Sequence, residues 1–526
     1  MKEKFLETIS QGYIFEGESL ILGGAMYDNE CQTGSLVQAP LEMFNRHGLI
    51  AGATGTGKTK TLQILAEQLA AKGVPSLLMD IKGDLSGIAQ PSPGHPKIDE
   101  RHEAIGFPFT ALGSTVELLS ISDEPGVRLR ATVTEFGPVL FSKILDLNET
   151  QTGVISVIFK YCDDHKLPLI DLEDVKKTLQ YVMNEGKKEF EGEYGRISTA
   201  SVGAIIRKII ELEQQGADRF FGELSFDTED LLRIDDYGRG VVSVIRLTDI
   251  QDRPKLFSTF MLCLLAEIYS TFPEEGDPDV PKLVIFIDEA HLIFENASDA
   301  LLDQIEAIIK LIRSKGVGIF FVTQNPADIP DDVLGQLGMK VQHSLRAFTA
   351  KDRKAIKLAA QNFPESEFYE VEDKLTAMGI GEALVTVLNE KGIPTPLVHT
   401  LLRAPQSRMD VLTDDEIDDI VNASSLVAEY NKEINRESAA EILVEKIEEA
   451  QEEARQAELR EQREQARQVT TRRRVQQRSE TSLLEELSKN TMVRQVGRVV
   501  AKEITRGLLG VLGVRSTRRR NTRRRR

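Results

Sequence analysis

Gly52-Ala53-Thr54-Gly55-Thr56-Gly57-Lys58-Thr59 constrains this chain more than any other run of residues. It matches G-x-x-x-x-G-K-[ST], a loop whose glycines let the backbone wrap closely and turn its N–H groups toward phosphates. Such a loop needs a strand before it and a helix after it. His47 to Ala51 is a short apolar run, and Leu62, Leu65, Ala66 and Leu69 fall on one face of a following helix. Gly73 supplies the stop and Pro75 prevents continuation. The pattern predicts an ATP site in which Lys58 reaches the β- and γ-phosphates and Thr59 ligates Mg²⁺. The helix adds its positive N-terminal end.

A second motif completes the first. Leu283-Val-Ile-Phe-Ile-Asp288-Glu289-Ala290-His291 reads as a buried strand that delivers Asp288 to the edge of a sheet, where it can hold the Mg²⁺ shell. Glu289 is then placed to orient and deprotonate an attacking water, which favours hydrolysis over nucleotide storage. His291 is read as a structural hydrogen-bonding residue, with coupling to substrate as the alternative. The run Phe321-Val-Thr-Gln324-Asn-Pro326 ends another strand, and Gln324 is the candidate γ-phosphate sensor; a polar strand end before a proline turn is the alternative. Asp80-Ile-Lys82-Gly83-Asp84 follows a further strand and reads as a segment that binds substrate or arranges the site, or equally as a tight turn stabilised by Gly83. Arg313 and Arg346 are the preferred arginine-finger candidates, ahead of Arg46, acting in cis or from a neighbouring subunit; a surface or interface ion pair is the alternative for each.

Around these motifs, apolar runs alternate with helical patterns, which predicts an α/β fold with a mainly parallel sheet. The expected strands are His47–Ala51, Ser76–Ile81, Val241–Leu247, Leu283–Asp288 and Gly318–Thr323, with weaker ones at Lys340–Arg346 and Glu382–Leu388. Residues 1–90 form an N-terminal segment and the first part of the nucleotide core, and 239–405 its second part. Between them, 91–238 reads as an inserted, mostly helical subdomain, with helical patterns at Ile155–Tyr161, Asp174–Asn184 and Ser201–Gln215. Residues 406–468 form a charged helical C-terminal extension. Its apolar positions thin out after Ile447, which suits a solvated helix better than a coiled coil.

Charge divides the chain. Residues 469–526 carry seventeen Lys and Arg against four Glu, a net of +13, which leaves −31 for the rest of a chain of net −18. Eight of the last twelve residues are arginine, which predicts a tail disordered by self-repulsion that attracts a polyanion or, as the alternative, an acidic face of the same chain or assembly. Val493, Val496, Val499, Val500, Ile504 and Leu508 recur at helical spacing among basic residues, a pattern for docking on a protein partner or, as the alternative, a membrane surface. Cys31, Cys162 and Cys263 form no metal-ligand pairs and suit a reducing compartment. With no signal-peptide region and no apolar run of membrane-spanning length, the expected location is cytoplasmic.

Taken together, His47 to Thr59, Met79 to Asp84, Ile287 to His291 and Gly316 to Gln324 resemble the HerA/FtsK branch of P-loop motors. Within that branch the chain is most similar to bacterial HerA-like ATPases of the YjgR type. With Gly379-Ile-Gly-Glu-Ala-Leu-Val and Arg506-Gly-Leu-Leu-Gly510, the likeness spans most of the sequence. It implies a RecA-like P-loop fold with an extra strand between those bearing the two motifs, for which Val241–Leu247 is the expected occupant. It also implies a homo-oligomeric, hexameric ring with ATP sites between subunits and double-stranded DNA as the track. HerA motors begin with a small β-barrel, whereas about forty-five residues precede the first core strand here. An ATPase that moves or remodels a protein partner, and a nucleotide-gated scaffold, remain the alternatives to a DNA translocase or helicase.

Overall fold

The computed structural model describes residues 1–463 apart from 252, 277, 295–298, 433, 435, 436, 450, 453, 454 and 461. It divides into two compact units, residues 1–444 and 445–526. In the second, the described residues are helical. The basic amphipathic pattern at 493–508 and the arginine tail lie outside the described residues.

Twelve strands of the first unit make one sheet: β1 (Ser19–Tyr27), β2 (Glu30–Pro40), β3 (Gly48–Ala51), β4 (Ser76–Asp80), β5 (Val116–Ser120), β6 (Val127–Arg128), β7 (Val242–Arg246), β8 (Leu283–Ile287), β9 (Val317–Thr323), β10 (Met339–His343), β11 (Glu382–Thr386) and β12 (Val398–Leu402). Their order is β2-β1-β12-β11-β10-β3-β9-β8-β4-β7-β5-β6. From β10 to β6 every pairing is parallel; from β2 to β10 every pairing is antiparallel. The fold is therefore α/β, with a mixed and mainly parallel sheet.

The central parallel strands β3, β8 and β9 are almost wholly apolar on both faces, which suits a sheet covered on both sides. Alternate residues sort to opposite sides, as the two-residue period requires. Leu283, Ile285 and Ile287 of β8, with Ile319 and Phe321 of β9, enter one core. Val284, Phe286, Phe320 and Val322 enter the other. The second core takes Leu62, Leu65, Ala66 and Leu69 from the helix Lys58–Ala71. The first takes the helices Pro254–Thr271 and Asp299–Ile312 and the five helices between Val133 and Glu213.

Three expectations change. The strand between β3 and β8 is β9, which pairs with both; β7, the expected occupant, lies on the far side of β4. Strand order is set by which chain segments return to the sheet beside one another, and no periodicity encodes it. Strand β10 ends at His343 and not at Arg346. Just beyond it, Ser344 O accepts from Ala53 N, and Leu345 N donates to Leu375 O, which turns the chain off the sheet. Finally, the extension is no continuous solvated helix. It breaks between Asp414–Ala423 and Ser425–Tyr430, where Ser424 caps the second helix, and Leu426, Tyr430, Ala439 and Leu443 are buried in the first core.

Candidate nucleotide site

In a parallel sheet, the residue after a strand stands at the carboxyl edge, and the loops there converge. Four strands deliver the candidate residues to that edge: β3 the phosphate loop, β4 Lys82 and Asp84, β8 Asp288 and Glu289, and β9 Gln324.

The loop is fastened at both ends. Gly52 N donates to Thr323 O at 3.2 Å, and Thr56 N and Oγ1 both donate to Ala53 O. Gly52 has φ 153°, and a Cβ there would stand 2.5 Å from the His343 Cβ, so only glycine fits. Gly57, at φ 112°, caps the helix Lys58–Ala71 with no side-chain bond. The first N–H groups of that helix therefore face the loop without a side-chain acceptor, the arrangement that receives an anion. Lys58 Nζ donates to Ala53 O at 3.3 Å, so the ammonium is folded over its own loop. Burial, reinforced by the charge of Lys82, lowers the Lys58 pKa. Thr59 is half-buried in the first helical turn.

Asp288 and Glu289 are sequence neighbours in opposite environments. Asp288 is buried, its Oδ1 accepts from Glu289 N at 2.9 Å, and its Oδ2 is buried without a hydrogen-bond partner. Burial pushes its pKa up to about 6. Glu289 adopts φ 46°, a left-handed conformation that is uncommon for a residue with a side chain and swings its carboxylate out of the strand direction. Burial alone would raise its pKa, but Lys82, which donates to its Oε1, together with His291 and Gln324, holds it below the usual carboxylate range. His291 Nδ1 lies 3.2 Å from Glu289 Oε2. Gln324 spans the gap between Glu289 and the loop: its Nε2 donates to Glu289 Oε2 at 3.4 Å, and its Oε1 accepts from Thr54 Oγ1 at 3.3 Å.

The segment after β4 is both a turn and part of the cleft. Asp80 accepts from the backbone N–H groups of Gly83, Asp84 and Leu85, which holds the turn in place and sends Lys82 toward Glu289. The Lys82 pairing follows from β4 lying beside β8, a placement that sequence spacing does not carry. Asp84 Oδ1, like Asp288 Oδ2, is buried without a partner.

These orphaned oxygens test the fit of a divalent cation. Among the described residues no group of three or more His, Cys, Asp or Glu could hold a metal by itself. One strand-end carboxylate and one phosphate-loop hydroxyl, with substrate phosphates supplying further oxygens, is the ligand set Mg²⁺ takes. Asp288 and Thr59 fit that set.

The arginines separate. Arg346 lies exposed in the segment after β10, on the phosphate side. Arg313 precedes β9 and Arg46 precedes β3, so both stand at the amino edge, where they line a cavity of about 480 Å³ with Lys310 and Lys340. Chain direction alone could have distinguished them, since residues before and after a parallel strand lie at opposite edges. Arg101, which the motif reading did not single out, donates to Gly381 O and Leu402 O at 3.1 and 2.9 Å, while Gly381 N donates to Thr56 O.

A parallel sheet with a phosphate loop and a neighbouring acidic strand end defines a P-loop nucleotide-binding protein. Within that class the chain belongs to the family described as helicase HerA-like C-terminal, whose model matches residues 27–519. It is 21% identical over 369 residues to the DNA double-strand break repair helicase HerA of Saccharolobus solfataricus, covering 68% of this chain and 66% of that protein. It is 25% identical over 365 residues to the DNA import protein CedB of Sulfolobus acidocaldarius, covering 68% and 52%. The chain thus spans about two thirds of the HerA relative and about half of CedB. Among solved structures, the bacterial conjugative coupling protein TrwB aligns with a TM-score of 0.49 at 14% identity, over 77% of this chain and 94% of that one. VirB4 of Thermoanaerobacter pseudethanolicus aligns at 0.46 and 17%, over 74% and 98%. Among the described residues, no helix is long and apolar enough to cross a membrane.

Proposed function

We propose that this protein hydrolyses ATP with Mg²⁺ and uses the energy as a ring-forming motor on double-stranded DNA. The observation that carries the reading is the bridge from Thr54 through Gln324 to Glu289, which links the phosphate loop to a carboxylate base. In this reading the loop N–H groups and Lys58 bind the phosphates of ATP. Thr59 and Asp288 would hold the Mg²⁺, which supplies charge neutralisation on the phosphate oxygens. Glu289, kept ionised by Lys82, accepts a proton from the water that attacks the γ-phosphorus, and Gln324 orients that water. Arg346, exposed at the same edge, is the finger for a neighbouring subunit's γ-phosphate. The DNA track draws its support from the family and from relatives named for DNA repair and DNA import.

Steady-state hydrolysis with and without duplex DNA tests this reading in wild type and Glu289→Gln. Duplex should raise the wild-type rate severalfold. Glu289→Gln should keep ATP binding while turnover drops on the order of 10²- to 10³-fold. Turnover that survives Glu289→Gln would remove the base, and a rate indifferent to every DNA would remove the track. Mass measurement by size exclusion with light scattering should give a ring; a monomer with full DNA-stimulated turnover would count against one.

A further inference from the structure

The helix Val133–Ile144 is broken at Gly137, which takes φ 63°, with Pro138 next to it. A straight helix packs closely against its neighbour along its whole length, whereas a broken one leaves a gap. Here the neighbour is the helix Pro254–Thr271, and between the two lies a cleft of about 250 Å³. Phe136, Phe220 and Phe260 are buried in its wall, and Phe226 is half-buried there. Phe220 meets Phe136 and Phe260 edge to face, with ring centres 6.2 and 5.6 Å apart.

Two carboxylates, Glu135 and Glu267, share this aromatic cleft. Glu135 is occupied: its Oε2 accepts from Thr132 N and from Ser225 Oγ, both at 2.8 Å. Glu267 is half-buried, and among the described residues no hydrogen bond or ion pair engages its carboxylate. Burial raises its pKa, and the charges of Glu135 and Asp227 add to that. Arg130 is the only basic residue among those lining the cleft, and its Nη1 donates to Glu223 O and Tyr430 O at 3.1 and 3.2 Å. A carboxylate drawn out of water beside a second one is costly until a cation meets it. Aromatic faces attract the same sign of charge. An ammonium group on a flat apolar body answers both, with its head on Glu267 and its body among the rings. A neutral or anionic ligand of the same shape leaves the acid unanswered.

We infer that this cleft binds a small organic amine in its protonated form, with an aromatic body, and that Glu267 accepts the hydrogen bond of the ammonium group. The cleft shares no lining residue with the phosphate loop or the acidic strand end, so the inference does not depend on the ATP reading. The chain has no tryptophan, so naphthalene fluorescence reports binding to the full chain directly. Three probes carry the same ring: naphthylmethylammonium, neutral naphthylmethanol and anionic naphthoate. The ammonium should saturate the protein below about 1 mM, bind about tenfold more tightly than the alcohol and raise the melting temperature, while naphthoate should not bind. Glu267→Gln keeps the shape of the side chain and should bring the ammonium down to the affinity of the alcohol. The alcohol itself should stay within about twofold, which reports an intact cleft. Ala266→Met, which fills the cleft, should abolish binding of both; if that variant does not fold, the Glu267→Gln comparison decides alone. Equal binding of ammonium and alcohol to wild type, an ammonium preference that survives Glu267→Gln, or no saturable binding overturns the inference. So does a peptide-borne lysine that binds where the free amine does not, since the occupant is then a partner's side chain.

Discussion

The two edges of the parallel sheet are both rich in charge and are built differently. At the carboxyl edge the charges are wired to one another: Lys82 to Glu289, Glu289 to His291 and Gln324, Gln324 to the phosphate loop. Their pKa values move apart, with Asp288 up to about 6 and Glu289 down. At the amino edge, Arg46, Arg313, Lys310 and Lys340 surround a cavity, and His47 is neutral, its pKa lowered by burial to about 4. One edge holds two neighbouring carboxyl groups in opposite environments, and the other lines a cavity with basic side chains, of which Lys310 pairs with Asp332.

The largest test of this contrast is Lys58→Ala, which should lower turnover roughly 10³-fold through loss of phosphate stabilisation; a stopped-flow phosphate assay measures it. Arg346→Ala should follow with a loss of about 10²-fold, whereas Arg313→Ala should stay within about threefold. An equal loss at Arg313 would mean that a neighbour's amino edge reaches the ATP site, and the contrast would break. Lys82→Ala should lower kcat about tenfold with KM nearly unchanged, because the lysine acts through Glu289 rather than on bound substrate. Away from both edges, Glu67 is buried on the phosphate-loop helix and accepts from Gln406 N, Ser407 N and Ser407 Oγ. Burial lifts its pKa to about 7, so the folded chain keeps a proton that the unfolded chain releases above pH 4.5. The stability this group contributes is then greatest below pH 4.5 and falls as pH rises toward 7, by at most about 3 kcal/mol. Glu67→Gln should flatten the melting temperature between pH 5 and 8 by a few degrees while leaving turnover intact.

The parallel half of the fold was legible because its strands are mostly apolar on both faces: β3, β4, β7, β8 and β9 all lie within a residue or so of their expected spans. The antiparallel strands β1 and β2 were not, since Ser19–Tyr27 and Glu30–Pro40 mix glycine, polar and apolar residues without a clean period. Strand β5, Val116–Ser120, was hidden because its surroundings read as an insertion. At the site, the phosphate loop, Asp288, Glu289 and Gln324 could be singled out because each follows an apolar strand within a recognisable motif. The Lys82–Glu289 pair could not, because it depends on β4 and β8 being neighbours. The bridging of Gln324 to Thr54 likewise depends on β9 lying next to β3.

That position of β9 has a mechanical consequence. The strand is fully buried over seven residues, spanning roughly 20 Å from Val317 to Thr323. At its amino end, Ile319 N donates to His47 Nδ1, and His47 Nε2 bonds the helix carbonyl of Ile309. At its other end stands Gln324, in touch with Thr54 of the loop and with Glu289 alike. An extended backbone hydrogen-bonded on both sides has almost no give along its axis, so β9 behaves as a tie rod. Its stiffness holds Gln324 at a fixed span from the helix Asp299–Ile312, which His47 ties to the strand's other end.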